Sequence, residues 1–189
     1  MRRISRATLA SAIARVRGLD LMQKEQLADE LLRAQPHVFA SFLVQQRLGV
    51  SLAKMDFLLD ILLICFQAMK ESGQTWPLIT EDEQDRQMGR LVATIQFGDD
   101  LPRSLRGRAL RQYIDTHPEK DLLAFVHGET AGWLPRVVPG ESDKFVVLAA
   151  LNLVNCIAFA SLPGQTTPVR QTRSAMAAAP KRGRTAKRL

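Results

Sequence analysis

One segment constrains the fold of this chain more than any other. Residues 51–73 read SLAKMDFLLDILLICFQAMKESG and contain the longest apolar run of the sequence, from Ile61 to Phe66. A helix that is apolar nearly all round must be enclosed by a protein core or by a membrane. The charge-free part, Ile61 to Met69, is far shorter than the roughly 20 residues that span a bilayer. We therefore predict a core helix that the rest of the chain surrounds.

Start and stop signals divide the remaining chain into further helices. Asp20 has Gln23 at capping-box spacing, Pro36 suits a first helical turn, and Thr80 precedes three acidic residues. Glycines mark the ends of several helices. No segment alternates with period two between hairpin turns. We expect an all-α fold of about eight helices in one globular bundle over residues 1–162, at about 5–17, 20–34, 36–48, 51–73, 80–98, 104–116, 118–128 and 143–162.

Apolar residues at helical spacing indicate which side of each amphipathic helix is buried. After the seventh helix, which we expect to stop at Gly128, the longest loop of the body runs from Glu129 to Gly140. We expect inward-facing stripes made of Leu27, Leu31 and Leu32 in the second helix, Met88, Leu91, Val92 and Ile95 in the fifth, and Leu105, Leu110 and Ile114 in the sixth.

The order of these parts suggests an internal duplication. A helix leads to Gln35-Pro36 in the first half and to His117-Pro118 in the second, and each half ends in an apolar helix that begins near Phe57 or Phe145. One interpretation is two duplicated four-helix units, residues 5–73 and 81–162. The other is that Gly and Pro stand at helix ends in every helical protein.

The net charge of +7 belongs to the C-terminal tail. Residues 163–189 contain seven Lys or Arg and no acid, so the preceding body is neutral. This tail lacks a periodic apolar face, and we expect it to be disordered. Basic residues at this density favour sequence-independent contacts with phosphates, through Lys181, Arg182, Arg184, Lys187 and Arg188.

A second basic cluster begins the sixth helix. No acid occurs between Asp100 and Asp115, and the cluster consists of Arg103, Arg106, Arg108 and Arg111. We assign it to the same nucleic-acid-binding function; the alternative is an ordinary solvated helix face.

No motif for catalysis or metal binding is complete. His117-Pro118-Glu119 and His127-Gly128-Glu129 match half of a zinc deaminase signature, but its Pro-Cys-x-x-Cys half is absent. Nucleotide-binding and nucleophile-elbow motifs are also absent. Cys65 and Cys156 lie in apolar segments, which indicates two buried thiols and a reducing compartment. We expect no catalytic residue, no metal and no cofactor.

These observations favour a non-enzymatic accessory protein. Its body would bind an unknown protein partner or a second copy of itself, through the loop residues Trp76 and Trp133, although either Trp could instead plug the edge of the core. Its basic tail would add nucleic-acid affinity.

Two alternatives remain open. One is a small-molecule-binding or enzymatic domain with a pocket between the two apolar helices and Asp56, Asp60 or His127 at its mouth. The other is a purely structural protein–protein interaction subunit whose tail is inert.

The first 18 residues bear on localisation. They are basic, acid-free and amphipathic, which is also typical of a mitochondrial presequence. The proposed duplication gives the first helix a counterpart in the fifth, and this favours a retained structural helix. We therefore expect a cytoplasmic protein with no membrane span, with the mitochondrial matrix as the alternative.

Overall fold

The computed structural model describes residues 4–160, which form eight α helices and one short 3₁₀ helix without a β-strand. The prediction of an all-α bundle is confirmed. The predicted tail, including Lys181 to Arg188, lies outside the described residues. The helices are α1 (Arg6–Arg17), α2 (Leu21–Ala34), α3 (Pro36–Arg47), α4 (Leu52–Glu71), α5 (Glu81–Asp100), α6 (Arg103–Thr116), α7 (Lys120–Trp133) and α8 (Asp143–Phe159), with the 3₁₀ helix at Leu134–Arg136.

Helix α4 occupies the centre of the bundle. Every residue from Ile61 to Met69 is buried, and α1, α2, α3 and α8 all pack against this helix. Complete burial of one large aliphatic side chain contributes about 1.5–3 kcal/mol, so this run is a major source of stability. No helix among residues 4–160 is long and apolar enough to cross a membrane.

The predicted helix starts at Ser5, Asp20 and Thr80 are confirmed by their capping hydrogen bonds. Asp20 Oδ1 accepts from the Gln23 main-chain N–H at 2.8 Å, and Gln23 Oε1 accepts from the Asp20 N–H at 3.0 Å. Ser5 and Thr80 each accept from the N–H three residues later, at 3.0 and 3.3 Å. These bonds satisfy donors that a helix leaves unpaired at its start.

The two halves of the bundle make corresponding contacts. Helix α1 packs against α4 and α7, and α5 packs in the same way against α8 and α3. At the start of α1, the buried Ile4 N–H donates to Glu119 Oε2 at 3.2 Å. At the start of α5, the buried Ile79 N–H donates to Gln35 Oε1 at 2.9 Å. Gln35 and Glu119 are the residues that precede α3 and α7.

The correspondence extends to the ionisable residues two positions further on. Arg6 Nη2 lies 3.5 Å from an Asp121 carboxylate oxygen, and His37 Nδ1 lies 3.3 Å from Glu81 Oε1. Pairs of residues at the same spacing therefore join α1 to α7 in one half and α5 to α3 in the other. The gene duplication itself stays a prediction, which these matched contacts support.

Several predicted details were wrong. Helix α5 continues through Gly98 to Asp100, so only Leu101 and Pro102 connect it to α6. Helix α7 continues through Gly128 to Trp133. A glycine inside a helix costs about 1 kcal/mol, and in α7 the burial of Thr130 and Trp133 beyond Gly128 offsets that cost.

The predicted inward stripes were also wrong in part. Leu105 and Leu110 are 45% and 41% exposed, and α6 contains no fully buried residue. Leu32 and Ile95 are exposed as well. Periodicity identifies an apolar face, but it does not say whether another element covers that face.

An ion pair joins the first turns of the two apolar helices. The buried Lys54 of α4 donates through Nζ to Asp143 Oδ1 at the start of α8. The Gly140 N–H donates to the other oxygen of this carboxylate at 2.9 Å. The Lys54 ammonium lowers the pKa of the Asp143 carboxyl below its usual range. The Asp143 carboxylate therefore compensates a buried positive charge.

Removing one partner should cost more than replacing the lysine with an apolar residue. Asp143→Asn leaves the Lys54 ammonium buried without its counter-ion, and we expect it to lower the free energy of unfolding clearly more than Lys54→Met does. Lys54→Met removes the buried charge and should cost about 1 kcal/mol or less. Urea denaturation measures both values.

The exposed pair between Lys24 and Asp60, with 2.7 Å between Nζ and Oδ1, supplies the control for this comparison. Lys24→Met should change the free energy of unfolding by less than about 1 kcal/mol. Equal losses for Asp143→Asn and Lys54→Met would contradict the proposed role of the pair.

Candidate functional site

Helix α6 lies at the periphery of the bundle against α5 and α7. Arg106 fastens its first turns to the end of α5, because its guanidinium donates to the Asp99 carbonyl oxygen at 2.7 Å and to the Leu101 carbonyl oxygen at 3.0 Å. Carbonyl groups at a helix C-terminus carry partial negative charge and attract a cation. Arg106 is therefore engaged within the protein.

All four arginines of this cluster are exposed, and the other three take no part in the contact that Arg106 makes. Among residues 4–160, no carboxylate oxygen lies within 4 Å of Arg103, Arg108 or Arg111, whereas Arg15 and Arg17 pair with Glu71 and Glu129 at 2.9 Å each. At 100° per residue these three side chains project from one side of α6. We name Arg103, Arg108 and Arg111 the α6 arginine face.

Exposed apolar side chains occur near the α6 arginine face in sequence. Phe97 is 66% exposed and lies two residues before Asp99, the residue that Arg106 contacts. Leu105 and Leu110 alternate with the arginines along α6 itself. Cationic and apolar groups are thus interspersed over the end of α5 and most of α6.

The C-terminal end of α6 is fixed to α8 by a buried polar cluster. Asn155 Oδ1 lies 3.3 Å from the Tyr113 hydroxyl and 3.2 Å from His117 Nε2. The Glu119 N–H donates to His117 Nδ1 at 3.2 Å, so Nε2 carries the imidazole proton and donates to Asn155. Burial of the ring lowers the pKa of His117 below its ordinary value, against the opposing effects of Asn155 and Glu119.

The two tryptophans contribute to packing. Trp133 is only 6% exposed, and its ring stacks on Phe57 with 4.5 Å between centroids. Trp76 is partly buried, and its Nε1–H reaches the Met69 carbonyl oxygen at 2.9 Å and Ser72 Oγ at 3.1 Å. Both plug the edge of the core, which was the alternative that the sequence left open. Their partner-binding role stays a prediction.

The aspartates that the sequence suggested for the mouth of a pocket between α4 and α8 do not line that pocket. Asp56 and Asp60 line a separate depression of about 390 Å³ between α2 and α4, and Asp60 pairs with Lys24. Neither aspartate lines the cleft that α4 and α8 do share, and His127 does not line it either. Within residues 4–160, no three His, Cys, Asp or Glu side chains form a group that could hold a metal ion.

Both cysteines are buried, as the sequence predicted. Burial raises the pKa of the Cys65 thiol to about 12. Burial, reinforced by the negative charge of Glu83, raises the pKa of the Cys156 thiol to about 12 as well. Because the thiolate is the reactive form, neither residue is a nucleophile at neutral pH.

A cleft between α3, α4, α5 and α8 lies where one alternative from the sequence placed a pocket, between the two apolar helices. The polar residues that line it were not predicted. Asn152 and Gln84 line this cleft. The available signal was the position of polar amides on helix faces that otherwise carry apolar residues.

Compared with known proteins, the chain matches no family model, no curated protein and no solved structure.

We expect His117 to make stability depend on pH. Because its pKa is lowered in the folded state, the unfolded chain binds the proton more readily. The stabilising contribution is complete above the unfolded pKa of about 6.5 and is lost as the pH falls through the folded pKa. His117→Gln should remove this dependence.

Urea denaturation of both proteins between pH 5 and pH 8 tests this expectation. The wild type should lose more free energy of unfolding than the variant as the pH falls below about 6.5, with a difference in slope below the ~1.4 kcal/mol per pH unit of one full proton. A difference between the two proteins that stays constant over this range would contradict the assignment.

Proposed function

We propose that this protein is a non-enzymatic helical accessory protein that binds nucleic acid without reading its sequence. The observation that carries the proposal is the α6 arginine face, in which three exposed guanidinium groups lack a carboxylate within 4 Å among the described residues. The basic tail, residues 163–189, would add further phosphate contacts.

Electrostatics support a polyanion as the ligand of this face. Each arginine that neutralises a phosphate releases condensed counterions, which is the main source of sequence-independent affinity. The planar guanidinium also matches the geometry of a phosphate with two parallel donors. The body is neutral only when α6 is included, and its remainder has a net charge of −3, which would leave binding concentrated on α6 and the tail.

Exposed Phe97 supports a preference for single strands. An unpaired base can stack on an aromatic ring, whereas a base within a duplex cannot. Such stacking contributes about 1–3 kcal/mol per base. Phe97→Ala should therefore weaken binding to a single-stranded oligonucleotide more than binding to a duplex of the same length.

The salt dependence of binding tests the proposal. We expect the logarithm of the association constant to fall with the logarithm of salt concentration with a slope of roughly −4 to −6 for the full chain. Replacing Arg103, Arg108 and Arg111 together with glutamine should make the slope shallower by about 2. Removal of residues 163–189 should abolish most of the binding. Fluorescence anisotropy of a labelled 20-nucleotide strand measures these quantities.

A charge-matched control separates a defined surface from net charge. Arg33, Arg47 and Lys144 are exposed and lie on α2, α3 and α8. Changing all three to glutamine removes the same charge and should affect binding less than the α6 variant does. Equal effects of the two triple variants would refute the α6 arginine face. Absence of binding by the full chain at physiological salt would favour the purely structural subunit.

A further inference from the structure

A cleft of about 400 Å³ lies between α3, α4, α5 and α8. Its walls are mainly apolar, and its volume falls within the usual range for small-molecule sites, about 300–1,000 Å³. It is distinct from the α6 arginine face. The apolar part of its lining includes Val38, Phe42, Leu58, Leu62, Met88 and Leu153.

Three amide side chains of this lining, those of Asn152, Gln84 and Gln45, have a polar atom without a hydrogen-bond partner. Asn152, which is 6% exposed, donates through Nδ2 to the Gln84 main-chain oxygen at 3.1 Å. Its Oδ1 has no hydrogen-bond partner, and neither does Gln84 Nε2. Buried polar atoms in proteins are nearly always paired. The cleft therefore offers one unused donor, Gln84 Nε2, and two unused acceptors, Asn152 Oδ1 and Gln45 Oε1. Of these residues, Asn152 and Gln84 are joined by their own hydrogen bond.

Comparison with the other half of the bundle shows that these amides replace apolar residues. Gln84 and Gln87 stand four and seven residues after the cap Thr80, and the positions four and seven residues after the cap Ser5 are Leu9 and Ala12. Counted from Phe145 and from Phe57, Asn152 corresponds to Ile64. The α1–α4 contact therefore uses apolar residues where the α5–α8 contact has amides.

The charges of the lining restrict the ligand. Glu81, Asp85 and His37 line the cleft, and no Lys or Arg does. An anionic ligand would face two carboxylates without a compensating cation. Cys156 also lines the cleft, but its thiol stays protonated at neutral pH.

We propose that the cleft binds a neutral small molecule that carries a carbonyl group beside an N–H group on an apolar body, as in a lactam. The ligand carbonyl accepts from Gln84 Nε2, and the ligand N–H donates to Asn152 Oδ1. The apolar body packs on Phe42, Leu58 and Leu62. This pairing satisfies the Gln84 and Asn152 atoms that the protein alone leaves without partners, and it does not involve Gln45 Oε1.

A matched pair of probes tests the required chemistry on the full wild-type chain. 2-Quinolone is a flat lactam, and N-methyl-2-quinolone carries a methyl group in place of the N–H hydrogen. We expect 2-quinolone to bind about tenfold more tightly, because one hydrogen bond is lost with the methyl group. Titration followed by ¹H–¹⁵N NMR should shift the side-chain amide signals of Asn152 and Gln84. Equal affinities, or no binding of 2-quinolone at millimolar concentration, would overturn the proposal.

Substitutions taken from the other half of the bundle test the site independently. Asn152→Ile with Gln84→Leu installs the residues of the α1–α4 contact. We expect it to abolish the preference for 2-quinolone while the melting temperature stays equal or rises. Gln96→Leu, which changes an exposed amide of α5, should leave binding unchanged. If the double variant still bound 2-quinolone more tightly than its N-methyl derivative, Asn152 and Gln84 would not be the groups that bind the lactam.

Asn155→Ile distinguishes a ligand-binding amide from a structural one. Asn155 lies on α8 as Asn152 does, but its Oδ1 is paired with Tyr113 and His117. This variant should lower the melting temperature by several degrees. A similar fall for the Asn152→Ile, Gln84→Leu variant would show that those amides serve the fold and would overturn the proposal.

Discussion

The burial of α4 on all sides is the constraint on which the rest of the structure depends. Because Ile61 to Met69 have no face toward solvent, the chain must supply neighbours in every direction around this helix. Helices α1, α2, α3 and α8 provide them. Helix α8 is itself largely apolar and needs its own cover from α5 and α7. The architecture follows from the need to enclose two such helices at once.

This enclosure also determines where functional groups can lie. The elements that surround α4 and α8 use most of their apolar surface in the core, whereas α6 contributes only partly buried residues such as Tyr113 and Ile114. A helix that contributes little to the core can carry unpaired charges at low cost in stability, because its side chains remain hydrated. The concentration of arginine on α6 agrees with this division between core and periphery.

The sequence predicted those features that local chemistry determines. The caps at Ser5, Asp20 and Thr80 depend on side chains within three residues of the helix start, and the burial of α4 follows from its composition. The exposure of Leu105 and Leu110 was not predictable, because it depends on where α6 meets its neighbours. Asn152 and Gln84 are recognisable in the sequence as amides on otherwise apolar helix faces, but their lack of partners is not. The sequence does not show whether a hydrogen-bond partner, solvent or a cleft lies beside an amide side chain.

The hydrogen bond from Ile4 to Glu119 has a consequence for the order of folding. It joins residues that are 115 positions apart, and α1 depends on α7 as well as on α4 for its packing. Contacts between residues so distant in sequence slow folding, because a long loop must close before they form. During synthesis, the apolar run of α4 has its covering helix α8 only after most of the chain has been made. The first four helices alone therefore lack the part of the cover of α4 that α8 supplies, and we expect apolar surface to be exposed until the second half has been made.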